Sequence, residues 1–142
     1  MNATSAATAG AVIFLWLGMV LAISFLEAPL KFRAPGVTIP IGLGIGRMVF
    51  RALNLVEAVL AAVVVAAVAA AGPPAAVVVL TAVTVVLLAV QLGVVRPRLN
   101  RRSDRVLGGE ELPRSRGHVY YVVFEIAKVI ALTVLGISLL AQ

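Results

Sequence analysis

The sequence contains no cysteine. Disulfides, thiolate metal sites, iron–sulfur clusters and cysteine nucleophiles are all excluded by that one absence. Histidine is nearly absent too, with His118 standing alone. A multi-histidine metal site, or a haem held by two histidines of one chain, is therefore excluded, and no metal or cofactor is expected. Acids are scarce: six, against twelve Lys and Arg, for a net charge of +6. A basic excess can signal nucleic acid. Here the basic residues flank apolar segments, which points to a membrane surface and away from nucleic acid. No persuasive Ser–His–Asp order, paired-carboxylate motif or metal-ligand cluster occurs, so an enzyme is the least favoured class and no catalytic residue is assigned.

What the chain has in quantity is apolar residues. They make up 62% of its 142 positions, with a mean hydropathy of +1.11. A soluble domain is usually about 45–50% apolar. A water-soluble core of this size cannot hide such an excess, so the bilayer is the expected solvent. Four apolar runs, at about residues 11–30, 48–71, 75–95 and 119–141, have the length of transmembrane helices. Backbone groups in lipid must be satisfied within each span, so helices are expected. Valine-rich tracts such as 77–86 would read as strand in water, but here length decides for helix. The alternating polarity of a transmembrane barrel is missing. The expected fold is all-α: one domain over residues 1–142, a four-transmembrane-helix up-down bundle.

The connections set its expected orientation. The first two spans are joined by "KFRAPGVTIPIGLGIGR", the second and third only by "GPP" at residues 72–74. The third and fourth are joined by an arginine-rich loop, residues 96–118, holding seven of the ten arginines. The two basic connections share a side, and the bias of Lys and Arg places that side in the cytoplasm. Both termini are then expected on the non-cytoplasmic side of a multi-pass plasma-membrane protein, the inner membrane of a bacterium. The N-terminus lacks the positive region of a signal peptide, so the first run reads as a retained span.

Charged residues inside the spans are the candidates for function. Arg47, Arg51, Asn54 and Glu57 are spaced four, three and three apart and read as one helix face. Glu57 would lie about 13 Å into the membrane at 1.5 Å per residue. Ser24, Glu27 and Lys31 repeat the pattern on the first helix. Thr81, Thr84 and Gln91 do so on the third, and His118, Tyr121, Glu125 and Lys128 on the fourth. Every span thus carries one polar stripe, and the stripes fall in the same half of the membrane. The expected site is a polar chamber, open toward the cytoplasm, built from Glu27, Arg51, Asn54, Glu57, Gln91, His118, Glu125 and Lys128. Glu57 is expected to find its partner in Lys128, Arg51 or His118. The other half should be an apolar plug, with Gly18, Ala66, Ala69 and Gly136 allowing close helix approach.

Two further features read as accessory. Gly42, Gly44 and Gly46 precede a helix start but match no phosphate-binding pattern, and flexible packing of a surface loop is the simpler reading. Arg96, Arg98, Arg101, Arg102 and Arg105 suit contact with anionic lipid headgroups, each worth about 1 kcal/mol near such a surface.

The segments "FLEAPLKFRAPG", "GIGRMVFRALNLVE", "RPRLNRRSDRVLGGE" and "HVYYVVFEIAK" resemble those of short four-span bacterial membrane proteins. In plan the chain is distantly similar to the transmembrane-protein-205-like domain of unknown function. The shared features are a first span ending near "AP" and a third span running into an Arg-Pro-rich loop before a His-led fourth helix. The loop here is shorter and richer in arginine. The resemblance implies a small integral membrane bundle and lends no catalytic residues. Three roles stay open: a structural or accessory subunit, as a homodimer or in a larger membrane complex; a proton- or ion-coupled transporter or channel using Glu57 and Lys128; or a binder of a lipid headgroup or small polar ligand.

Overall fold

A computed structural model describes residues 1–109 and 117–142, with side chains from 1–109 and 119–142. Four long helices account for nearly all of them: α1 Ala3–Arg33, α2 Ile39–Ala71, α3 Ala75–Leu107 and α4 Gly117–Leu140. Each is long and apolar enough to cross a membrane, and among the described residues there is no strand. The chain is an all-α, multi-pass membrane bundle.

Local chemistry sets the helix ends. Asn2 caps α1, its side chain accepting from the Ser5 amide at 2.7 Å. Thr38 caps α2, and Pro40 occupies the first turn, where its missing N–H costs nothing. Gly72 ends α2 in the left-handed region, at φ +57°, a conformation that other residues adopt reluctantly. Pro73 cannot continue the helix, and Pro74 stands immediately before α3.

α1 packs against both α2 and α4, and α3 packs against α4. The fourth side, between α2 and α3, is the most sparsely packed although only a tight turn joins the two helices. At the end bearing the termini, Ile13, Val64, Val68, Val77, Leu132, Leu135 and Leu139 interlock in an apolar core. Gly136 lets α4 approach α1 there, because a Cβ on it would meet the Phe14 ring at 2.8 Å. The other small residues expected to serve this purpose do not. Gly18 has open space around it, while Ala66 and Ala69 face outward.

The helices extend well past the apolar runs. α2 begins at Ile39 rather than 48, and α3 runs to Leu107, so the first half of the expected arginine loop is helical. At 33 residues each, these helices are about 50 Å long, against a hydrocarbon core of about 30 Å. Hydropathy marks where lipid ends, and a helix need not stop there. The Gly42–Gly46 stretch is accordingly not a loop but part of α2. Gly42 makes room for the Phe32 ring, and Gly46 for the Lys31 ammonium, where α1 and α2 cross.

Two helices depart from α geometry, both in the half away from the termini. α1 widens to π turns over Leu21–Glu27, and α3 does so over Gln91–Val95. A proline follows each within two residues: Pro29 and Pro97. A proline ring clashes with the carbonyl four residues back, and widening the preceding turn relieves the clash without breaking the helix.

A buried ionic centre joining all four helices

Lys128 of α4 lies at the centre of the bundle with its ammonium wholly buried. Its Nζ sits 2.6 Å from Glu57 Oε1 of α2, 2.6 Å from Glu125 Oε1 of its own helix, and 2.8 Å from Gln91 Oε1 of α3. An ammonium has three donors, and these three acceptors use them all. Gln91 Nε2 donates to Glu125 Oε1 at 2.7 Å, and α1 joins through Trp16, whose Nε1 donates to Glu57 Oε1 at 2.9 Å. All five side chains are 2% exposed or less.

Helical arithmetic explains which residues meet here. At about 100° per residue, Tyr121, Glu125 and Lys128 stay within one face of α4. On α2, steps of three lag by about 60° each, so Arg51 has drifted about 120° from Glu57. Arg51 is exposed and lies outside the centre. Phe50, two full turns from Glu57, takes the inward place. Asn54 is half-buried at the margin. Glu27 also departs from expectation. Counted straight from Trp16 it would share the inward face, but the wide turn between them rotates it away. Its carboxylate is paired instead with Lys31, 3.7 Å away on its own helix. The side chain of His118 lies outside the described residues. Of the expected site, Glu57, Gln91, Glu125 and Lys128 converge, and Lys128 is the partner that Glu57 needed.

The centre lies 12 to 14 residues from the helix ends that carry the termini side of α4 and α2, or about 18–21 Å. Counted from those ends, that is more than half the thickness of a hydrocarbon core of about 30 Å. An isolated charge at such depth costs at least about 2.5–3.5 kcal/mol. Pairing offsets that cost only with good geometry and satisfied hydrogen bonds, which the ammonium has. The carboxylates are less well provided. Glu57 Oε2 and Glu125 Oε2 are buried without a hydrogen-bond partner. Among the described residues the centre is a packed cluster of side chains and not an open chamber.

One layer nearer the basic end, Arg96 lies in the corner formed by two aromatic rings. Its guanidinium carbon is 4.6 Å from the Phe50 ring centre and 4.4 Å from that of Tyr121. The two rings meet edge to face at 5.7 Å. Lys31 Nζ also approaches Phe50, at 5.6 Å. Cation–π contacts of this kind are attractive where water is excluded. Arg96 was expected at lipid headgroups, but it is a packed residue. Arg98, Arg101 and Arg105 are exposed along the end of α3, and Arg102 is half-buried there. Arg47 of α2 pairs with Asp104 and ties this extension to its neighbour.

Sequence reasoning missed three participants. Trp16 carries no charge to mark it, and its hydrogen bond to Glu57 has no signature at the level of spacing. Phe50 and Arg96 were findable: Phe50 from its two-turn register with Glu57, and Arg96 from Pro97, which widens the preceding turn. Comparison with known proteins adds no relative, since no family model, curated protein or solved structure matches the chain.

Proposed function

We propose that this chain is a small proton- or ion-coupled membrane transport protein, with Glu57, Glu125 and Lys128 as its coupling centre. One observation carries the reading: two carboxylates share a single ammonium at the junction of all four helices. With all three groups ionised, the centre holds one negative charge in excess, inside a low-dielectric medium. A proton or a small monovalent cation removes that excess. A network serving only to hold helices in register could take the same two hydrogen bonds with a neutral acceptor at 125 and would avoid the excess charge. The apolar core closes the centre from the end bearing the termini, and the layer of Arg96, Phe50 and Tyr121 closes it from the other. The arrangement is that of an occluded state. The arginine-bearing end faces the cytoplasm in this reading, and both termini lie outside the plasma membrane.

The test is proton movement in liposomes that carry a pH-sensitive dye, under an imposed pH gradient. Wild-type protein is expected to dissipate the gradient, and Glu57→Gln, inserted to the same extent, is expected to lose most of that flux. Absence of flux from the wild type under proton, Na+ and K+ gradients alike would overturn the proposal.

A second reading is favoured by the open side of the bundle. Between α2 and α3 runs an apolar groove of about 340 Å³, lined by Ala58, Ala61, Ala62, Val85 and Ala89 among others. Small residues let helix backbones approach closely in membranes, so an accessory subunit of a larger complex, or a homodimer, would use this face. Sizing the protein in nanodiscs separates the readings, because a lone functional monomer excludes the second.

A further inference from the structure

Arg96 is placed over the ionic centre by the wide turn of α3. Its backbone N–H donates to the Gln91 carbonyl five residues back. In a regular α-helix, five residues amount to about 500°, which would leave Arg96 about 140° off the Gln91 face. The π turn brings it back above Gln91, and Gln91 holds both Glu125 and Lys128. On α4, Tyr121 lies one turn from Glu125, and its ring is one of the two that cover the guanidinium.

The edges of that guanidinium are unequal. Although Arg96 as a whole is partly exposed, Nε and Nη2 are both buried and have no acceptor. These two donors lie on one edge of the guanidinium plane, the fork that matches the two oxygens of a carboxylate. One turn along α4 from Tyr121, Glu125 Oε2 has the opposite deficiency, as does Glu57 Oε2 in the same ionic centre. Tyr121 Oη, on the same helix face as Glu125, is also buried and unpartnered. Glu27 Oε2 is buried without a hydrogen bond as well, but Lys31, 3.7 Å away, balances its charge, so that pair needs no further cation. Buried polar groups are nearly always satisfied, so unused donors beside unused acceptors mark a pairing that this state leaves open.

We propose that Arg96 is a tethered substitute for the coupled cation. It moves between its present place, stacked on Phe50 and Tyr121, and a lowered place in which the Nε–Nη2 edge takes the free side of the Glu125 carboxylate. This rests on the reading of the centre as a coupling site. In the lowered arrangement, Arg96 and Lys128 balance Glu57 and Glu125, and the centre needs no ion. In the stacked arrangement seen here, one charge is unbalanced and the carboxylate is free to take a proton or cation. Arg96 is thus a positioning residue that sets the ion affinity of the centre. The apparent affinity falls with the fraction of time that Glu125 is covered. It also gives the centre a stable ion-free state, which a symport cycle requires on the return step.

A hydrophobic carbodiimide, which modifies proton-bearing carboxyl groups, tests this without any transport measurement. The reaction rate at Glu125 is followed by peptide mass spectrometry in nanodiscs. Arg96→Gln removes the competitor, so the rate should rise severalfold. Phe50→Leu removes one face of the stack and frees Arg96 to descend, so the rate should fall. Arg96→Lys keeps the charge without the fork and should lie between wild type and Arg96→Gln. A general loosening of the bundle would raise the rate in all three variants. That pattern, or equal rates in wild type and Arg96→Gln, would overturn the proposal. The liposome flux is read separately. Opposite shifts in labelling without ion flux would sustain the Arg96 switch and defeat the transport reading, whereas flux with unchanged labelling would do the reverse.

Discussion

The two ends of this bundle hold four helices together by different means. Near the termini, α1 and α4 meet through shape alone, with Gly136 against Phe14 and an interlocked set of leucines and valines. Their outward faces carry the same residue types, such as Leu15, Ile130, Val134 and Ile137. Lipid tails are as apolar as leucine, so hydrophobicity does not distinguish inside from outside here, and fit has to decide. Toward the basic end, fit gives way to charge. Two of the four helices loosen into π turns, and a cation from each of α3 and α4 is held by side chains of other helices. The apolar end tolerates exchange among residues of equal volume. The ionic end is expected to tolerate far less, because Lys128 alone answers two buried carboxylates.

That contrast can be broken most forcefully at Lys128. Lys128→Met leaves two buried carboxylates without their counter-charge, and breaking a buried pair this way costs about 3–5 kcal/mol. The expected outcome is a large drop in unfolding temperature in detergent, with Lys128→Met/Glu57→Gln/Glu125→Gln recovering much of the loss. A smaller effect is expected at the apolar end. Gly136→Val forces a side chain into the Phe14 ring, an overpacking worth about 1–3 kcal/mol. Phe14→Ala in the same chain should relieve it, and a double-mutant cycle of thermal stability measures the coupling. The smallest effect is expected at Trp16. Trp16→Phe keeps an aromatic ring in place and deletes one hydrogen bond to Glu57, worth about 0.6 kcal/mol on the membrane average. If Gly136→Val proved more damaging than Lys128→Met, the order of the two ends would be reversed.

The spans were legible in the sequence because an unbroken run of about twenty apolar residues is stable in few settings besides a bilayer. The site was legible where spacing respects the 100° step, as on α4. It was misread where spacing of three was followed too far, as with Arg51, and where a wide turn intervened, as with Glu27. The helical start of the arginine segment was hidden on different grounds. Arg96–Leu107 is polar, so hydropathy sees only its exit from the membrane, while its helical character comes from continuity with α3. Prolines 29 and 97 carried the missing information, since each announces a local change of pitch just before it.

One consequence of the Trp16–Glu57 hydrogen bond lies in optics. Trp16 is the sole tryptophan of the chain, so all indole emission arises within hydrogen-bonding distance of the ionic centre. An indole excited state moves charge across its ring, and its emission wavelength follows the electric field of the group that it donates to. The protein therefore carries its own reporter, and a change of charge at the ionic centre is expected to shift its plain fluorescence spectrum without any added dye.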